Sequence, residues 1–138
     1  MNKKSILVII FFSIGLIGCT TTIVDLKNNS KNKQEWEVAA PVETVFKKYK
    51  EYADQNMAGG DFLWSGGLRV KGFFYGRDAE LYVKMGGNSL FRVTYLYFNL
   101  KKEAGGTLVT TWYYNGAWES NAQEFITLLP TKILRSGS

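Results

Sequence analysis

Three patterns in the 138 residues predict an α+β fold, in which an antiparallel meander sheet packs on an N-terminal helix and a short C-terminal one. Apolar residues first recur at helical spacing, at Val42, Val45, Phe46, Tyr49, Tyr52 and Ala53. Four strand-like runs follow, separated by turns short enough for hairpins. A capping-box spacing then precedes a last apolar cluster: Ser120 and Asn121 stand three residues before Gln123 and Glu124. The expected element order is β-α-β-β-β-β-α.

The first strand and helix come from "EWEVAAPVETVFKKYKEYA", which alternates at Trp36 and Val38, breaks at Pro41 and then turns helical. Pro41 suits the first turn, where its missing N–H costs nothing. Lys47, Lys48, Lys50 and Glu51 fall on the solvent side of that helix. The next stretch, "NMAGGDFLWSGG", is a breaker-rich connection. It lacks the Gly-Lys-Ser/Thr ending of a phosphate-binding loop and no strand leads directly into it, so nucleotide binding is not expected. Trp64, between two glycine pairs, is a candidate lid, partner contact or plug over the core.

The four runs cover Leu68 to Tyr75, Ala79 to Met85, Leu90 to Lys101 and Thr107 to Tyr114. In "AELYVKM", Ala79, Leu81, Val83 and Met85 share one face while Glu80, Tyr82 and Lys84 share the other, so one side is buried and the other mostly wet. The third run differs. Leu90, Leu96, Phe98 and Leu100 lie on one face, and Phe91, Val93, Tyr95 and Tyr97 on the opposite one. A strand apolar on both sides is normally covered on both, and one helix covers only part of one face. Trp112 and Tyr114 continue one row on the neighbouring strand, with Tyr113 on the other. The second face must therefore meet a barrel interior, a lipid-like ligand, a partner or a membrane surface. Trp64, Phe91, Tyr95, Tyr97, Trp112 and Tyr113 are the candidate ligand or partner residues. The last helix is expected to start at Ser120 and to carry Phe125, Ile126, Leu128 and Leu129 before Pro130.

At the N-terminus, Lys3 and Lys4 precede a nearly unbroken apolar stretch from Ser5 to Ile17, which has the pattern of a secretory signal. It is shorter than the roughly 20 residues a spanning helix needs. Its last four residues, Leu16-Ile17-Gly18-Cys19, resemble the bacterial lipoprotein box. The resemblance implies cleavage after Gly18 and lipidation of Cys19, so that residues 1–18 are a signal peptide. Several acyl chains anchor stably where one does so marginally, each buried methylene contributing about 0.8 kcal/mol. Thr20 stands where the inner-membrane retention signal of enteric lipoproteins has aspartate, which points to the outer membrane, facing the periplasm. Residues 19–33, rich in Asn, Lys, Thr and Ser, read as the lipidated cysteine and a flexible tether with a span of about 20 Å. Residues 34–138 are then a single α+β domain.

The segment "EVAAPVETVFKKY" resembles the opening strand and helix of START-like, or polyketide-cyclase-like, helix-grip domains, whose element order over Gln34 to Leu134 is also similar. This implies a helix-grip-like fold and a cavity for a hydrophobic, lipid-like ligand. The short last helix departs from that family's long one, and no functional residue carries over.

Composition removes whole classes of chemistry. There is no histidine, and the one cysteine is Cys19. Ser-His-Asp and Cys-His catalysis, ordinary zinc and haem sites, and an intrachain disulfide are therefore excluded. Asp61, Asp78 and Glu103 read as turn residues, and neither a catalytic carboxylate pair nor a calcium loop is evident. Removing Lys3 and Lys4 leaves 15 basic residues against 12 acidic ones, a net charge of +3 without the basic stripe a nucleic acid needs. No cofactor, metal or nucleic acid is expected. The expected role is that of a membrane-anchored, non-enzymatic adaptor or structural binding module of the cell envelope, which binds a protein partner through a sheet face or edge. The alternative is binding or transport of a lipid-like ligand in a START-like cavity.

Overall fold

The computed structural model describes residues 22–59, 67–86 and 93–135. They form helix α1 (Ile23–Asn28), a 3₁₀ turn (Ser30–Asn32), strand β1 (Lys33–Val38), helix α2 (Val42–Asn56), and strands β2 (Leu68–Phe74), β3 (Asp78–Met85), β4 (Thr94–Glu103) and β5 (Gly106–Tyr113). Helix α3 (Gly116–Ile126) and strand β6 (Thr131–Arg135) follow. All six strands join one open antiparallel sheet in the order β2-β3-β4-β5-β1-β6. The α+β meander with a helix before and after it is thus present, with β2 and β6 at the two edges.

One face of the sheet carries the core. Trp36 and Val38 of β1, Ala79, Leu81 and Val83 of β3, Leu96, Phe98 and Leu100 of β4 and Val109 of β5 all lie there, each at most 1% exposed. Helix α2 buries Val42, Val45, Tyr49 and Ala53 against this face, and α3 adds Ala122 and Phe125. The aromatic rings interlock: Phe98 lies 4.5 Å from Phe125, 5.9 Å from Tyr49 and 6.3 Å from Trp36 between centroids. The indole N–H of Trp36 donates to the Tyr49 hydroxyl at 2.9 Å, which satisfies both polar atoms inside the core. Gly72 explains how α2 reaches β2. A Cβ there would stand 2.8 Å from the Phe46 ring, so glycine admits the ring, which then stacks on Phe74 at 5.8 Å.

Several details differ from the expectation. Pro41 is the N-cap of α2, with extended backbone and no side-chain cap, and Val42 is the first helical residue. Helix α3 starts before Ser120, because Asn115 caps it by accepting from the Ala117 N–H at 3.1 Å. It ends at Ile126, so Leu128 and Leu129 lie in the turn beyond it. The strand β6 was not expected. It pairs with β1 just past Pro130, whose carbonyl accepts from Ala39 at 3.1 Å. The third meander strand is described from Thr94, with a bridging contact at Val93, and the Leu90–Arg92 part of that run lies outside the described residues.

The largest difference concerns the tether. Residues 22–33 are ordered onto the sheet: Thr22 and Asp25 form a reciprocal capping box, α1 follows, and Leu26 is only 3% exposed. The Asn32 side-chain amide then donates to the Tyr114 carbonyl at 3.2 Å, and β1 begins at Lys33. The physical reason is the apolar second face of β4 and β5, which α1 covers.

Candidate interaction surface

The second face is read from the strand registers. Lys71 of β2 lies opposite Tyr82 of β3, Tyr82 opposite Tyr97 of β4, Tyr97 opposite Trp112 of β5, and Trp112 opposite Lys33 of β1. Three aromatic residues thus form a ladder across the sheet with a lysine at each end. Such cross-strand neighbours interact directly; Tyr97 and Trp112 have centroids 5.5 Å apart.

Helix α1 divides this face into two halves. Over β4 and β5 it buries Leu26 and holds the Lys27 ammonium 4.7 Å from the Tyr97 ring and 5.7 Å from the Trp112 ring. The Lys33 ammonium, paired with Glu35 at 2.9 Å, lies 5.6 Å from the Trp112 ring. Tyr97 is fully buried, and its hydroxyl donates to Glu80 Oε1 at 2.6 Å. Burial pushes the Tyr97 phenol well above its ordinary value, and the bond to Glu80 and its charge add to that.

Over β2 and β3 no described helix covers the face. Phe73 stacks on Tyr82 at 6.0 Å and on Tyr75 at 6.5 Å, and Phe73 and Tyr75 are 45% and 63% exposed. Burial and the nearby Glu80 charge raise the Tyr75 and Tyr82 phenols. Tyr75 also donates to the second Glu80 oxygen at 3.4 Å, so Glu80 is held by two tyrosines. Arg69, Lys71 and Lys84 lie on the same face by alternation, with the Lys84 ammonium 5.9 Å from the Tyr82 ring.

The structure therefore brings together two of the six expected surface residues, Tyr97 and Trp112, and covers both with the chain's own helix. Tyr95 joins a smaller cluster at the end of β4, stacked on Trp118 at 4.7 Å and edge-on to Tyr114 at 5.8 Å. Tyr113 belongs to the core face instead and is 2% exposed, because alternation along β5 turns it away from Trp112. Trp64, Phe91 and Cys19 lie outside the described residues. The open strip of Phe73, Tyr75 and Tyr82 was not singled out from the sequence. Its signal was present in the alternation of "VKGFFYGRDAELYVK", where aromatic and charged residues share a face.

Two grooves flank the β4–β5 hairpin at one end of the sheet. One, of about 520 Å³, runs between the hairpin, the start of α2 and Phe74. The other, of about 360 Å³, lies between the hairpin and Pro130–Lys132. Gly106 makes the hairpin's close approach possible, since its φ is +152° and a Cβ there would meet the Val38 carbonyl at 2.1 Å. Among the described residues no group of side chains could hold a metal ion, and no helix is long and apolar enough to cross a membrane. Comparison of the chain with protein-family models, curated proteins and solved structures finds no match.

Proposed function

We propose that this chain is a lipid-anchored component of the bacterial cell envelope, held through Cys19 at the periplasmic side of the outer membrane. It serves there as a non-enzymatic adaptor. The observation that carries the adaptor reading is the filled interior. Tyr49, Phe98, Phe125 and Trp36 interlock in the space between sheet and helices where a START-like domain would keep its ligand, and pockets for drug-sized ligands run to hundreds of Å³. Binding then belongs to the surface. The β6 edge offers a protein partner unpaired backbone on its outer side and two exposed apolar side chains, Ile133 at 59% and Leu134 at 42%.

Three measurements test this reading. Metabolic acyl labelling is expected on residue 19 and is expected to vanish in Cys19→Ser; label that survives the substitution would contradict the anchor. A photo-crosslinking residue at Leu134 in intact envelopes is expected to capture a specific protein, whereas one at Gln55, on the exposed side of α2, is not. Native mass spectrometry that finds a stoichiometric lipid-like ligand inside the purified protein, with no adduct at 134, would overturn the adaptor in favour of ligand binding.

A further inference from the structure

The segment that leads to the anchor emerges on the second face of the sheet, and this sets where a bilayer can lie. Thr22, the N-cap of α1, is three residues from Cys19 and at most about 11 Å from it along the chain. Helix α1 rests on β4 and β5. A lipid on Cys19 therefore brings the membrane to the α1 side of the sheet, and α2 and α3 lie on the other side.

That near side has the composition of an interfacial surface. Val24 is two residues before Leu26, about 200° away around the helix. Leu26 faces the sheet, so Val24 points outward, and it is 66% exposed. Beside α1, the open strip adds Phe73, Tyr75 and Tyr82, with Arg69, Lys71, Lys84 and Lys27 around them. Aromatic rings and long basic side chains together suit the headgroup level of a bilayer. Two of the acids nearby are engaged: Glu80 accepts from Tyr97 and Tyr75, and Asp25 closes the capping box. Asp78 stands across from Lys101 in the strand register. The far side is different: the exposed face of α2 carries the ion pairs Glu43–Lys47 and Lys50–Asp54, an ordinary wet helix surface.

We propose that the β2–β3 strip, with α1 beside it, docks on the headgroup layer of an anionic bilayer and orients the domain with α2 and α3 away from the membrane. This rests on the anchor reading of Cys19. The β6 edge is left free for the protein partner.

The test uses the full lipidated protein reconstituted into vesicles of phosphatidylethanolamine and phosphatidylglycerol. A nitroxide label is placed on Lys71→Cys or, as a control, on Lys48→Cys of α2; both positions are exposed. The label at 71 is expected to lose accessibility to a water-soluble nickel chelate by about threefold or more relative to the label at 48, as for a group within the headgroup layer. The double substitution Phe73→Ser with Tyr75→Ser is expected to restore accessibility at 71 without changing the far-ultraviolet spectrum. Equal accessibility at 71 and 48 overturns the proposal, as does protection at 71 in intact envelopes but not in vesicles, which would assign the strip to a protein. The mass of the N-terminal peptide from the same sample reports on the anchor separately. A lipidated Cys19 with an accessible label at 71 sinks the docking alone, and an unlipidated Cys19 sinks the anchor.

Discussion

Strand β4 is apolar on both faces, and the two faces are covered in different ways. On one, Leu96, Phe98 and Leu100 meet two helices that contribute interlocking rings and leave no polar group unsatisfied between Trp36 and Tyr49. On the other, Tyr97 meets a six-residue helix that contributes one buried leucine and one lysine. A helix that short is far below the length that is stable alone, so α1 exists because the sheet supplies its partner. The difference separates a core closed by two helices from a cover made by one short helix.

The sharpest way to break this comparison is to empty the core face. Phe98→Ala should cost about 3 to 5 kcal/mol in chemical denaturation, because the surrounding rings cannot collapse into the space it leaves. A loss no larger than that of Leu26→Ala would mean that the two faces are equivalent.

Leu26→Ala should cost less, about 1 to 2 kcal/mol, because α1 can detach without unfolding the sheet. Hydrogen exchange should show the amides of residues 23–28 losing protection while those of β4 and β5 keep theirs. Concerted loss in both would make α1 part of the core.

Tyr97→Phe probes the bond that ties the covered half to the open half, and removes a hydrogen bond to a charged group worth about 1.5 kcal/mol. It also changes the pH dependence. The folded state holds the Tyr97 phenol above its unfolded value near 10.0, so its contribution is fully present below that value and is lost as the pH rises past it. Tyr49 behaves alike through burial, and Tyr52, which donates to Glu124, is pushed up to about 12. Stability should therefore fall above about pH 10, and Tyr97→Phe should make that fall shallower. An unchanged alkaline slope in denaturation curves would remove Tyr97 from this account.

The smallest effect is expected for Lys27→Ala, about 0.5 to 1 kcal/mol, the worth of a solvent-exposed cation over aromatic rings. It should shift Trp112 fluorescence while leaving the core unchanged. A cost near zero would leave Leu26 alone to hold α1.

Much of the fold was legible because periodicity is a local property. The 3.6-residue repeat from Val42 to Ala53 and the alternation in "AELYVKM" each record which side of an element is buried, and the structure buries those sides. The doubly apolar strand was legible in the same way: Phe98 and Tyr97 sit on opposite, covered faces. The start of α3 was misplaced because two capping patterns compete. Ser120 to Glu124 has the box spacing, yet the free N–H groups of the helix start follow Asn115, whose side chain accepts from the Ala117 N–H. Strand β6 carries only the short apolar pair Ile133-Leu134, too little to distinguish a strand from a tail without the β1 edge to pair with.

The sequence by itself determined β1, helix α2 and the four-stranded meander, the absence of histidine and cysteine chemistry from residues 34–138, and the fact that β4 needs cover on both sides. Only the tertiary structure decided what covers it. The polar segment after Cys19 reads as a tether because residues 22–32 hold few apolar side chains, and burial of a single one, Leu26, is a contact the local pattern cannot express. Register decided the rest, since it sets Lys71, Tyr82, Tyr97, Trp112 and Lys33 in one row although up to 79 positions separate them in the chain. The same alternation that joins Trp112 to that row sends its neighbour Tyr113 into the core, because a strand offers successive residues to opposite faces.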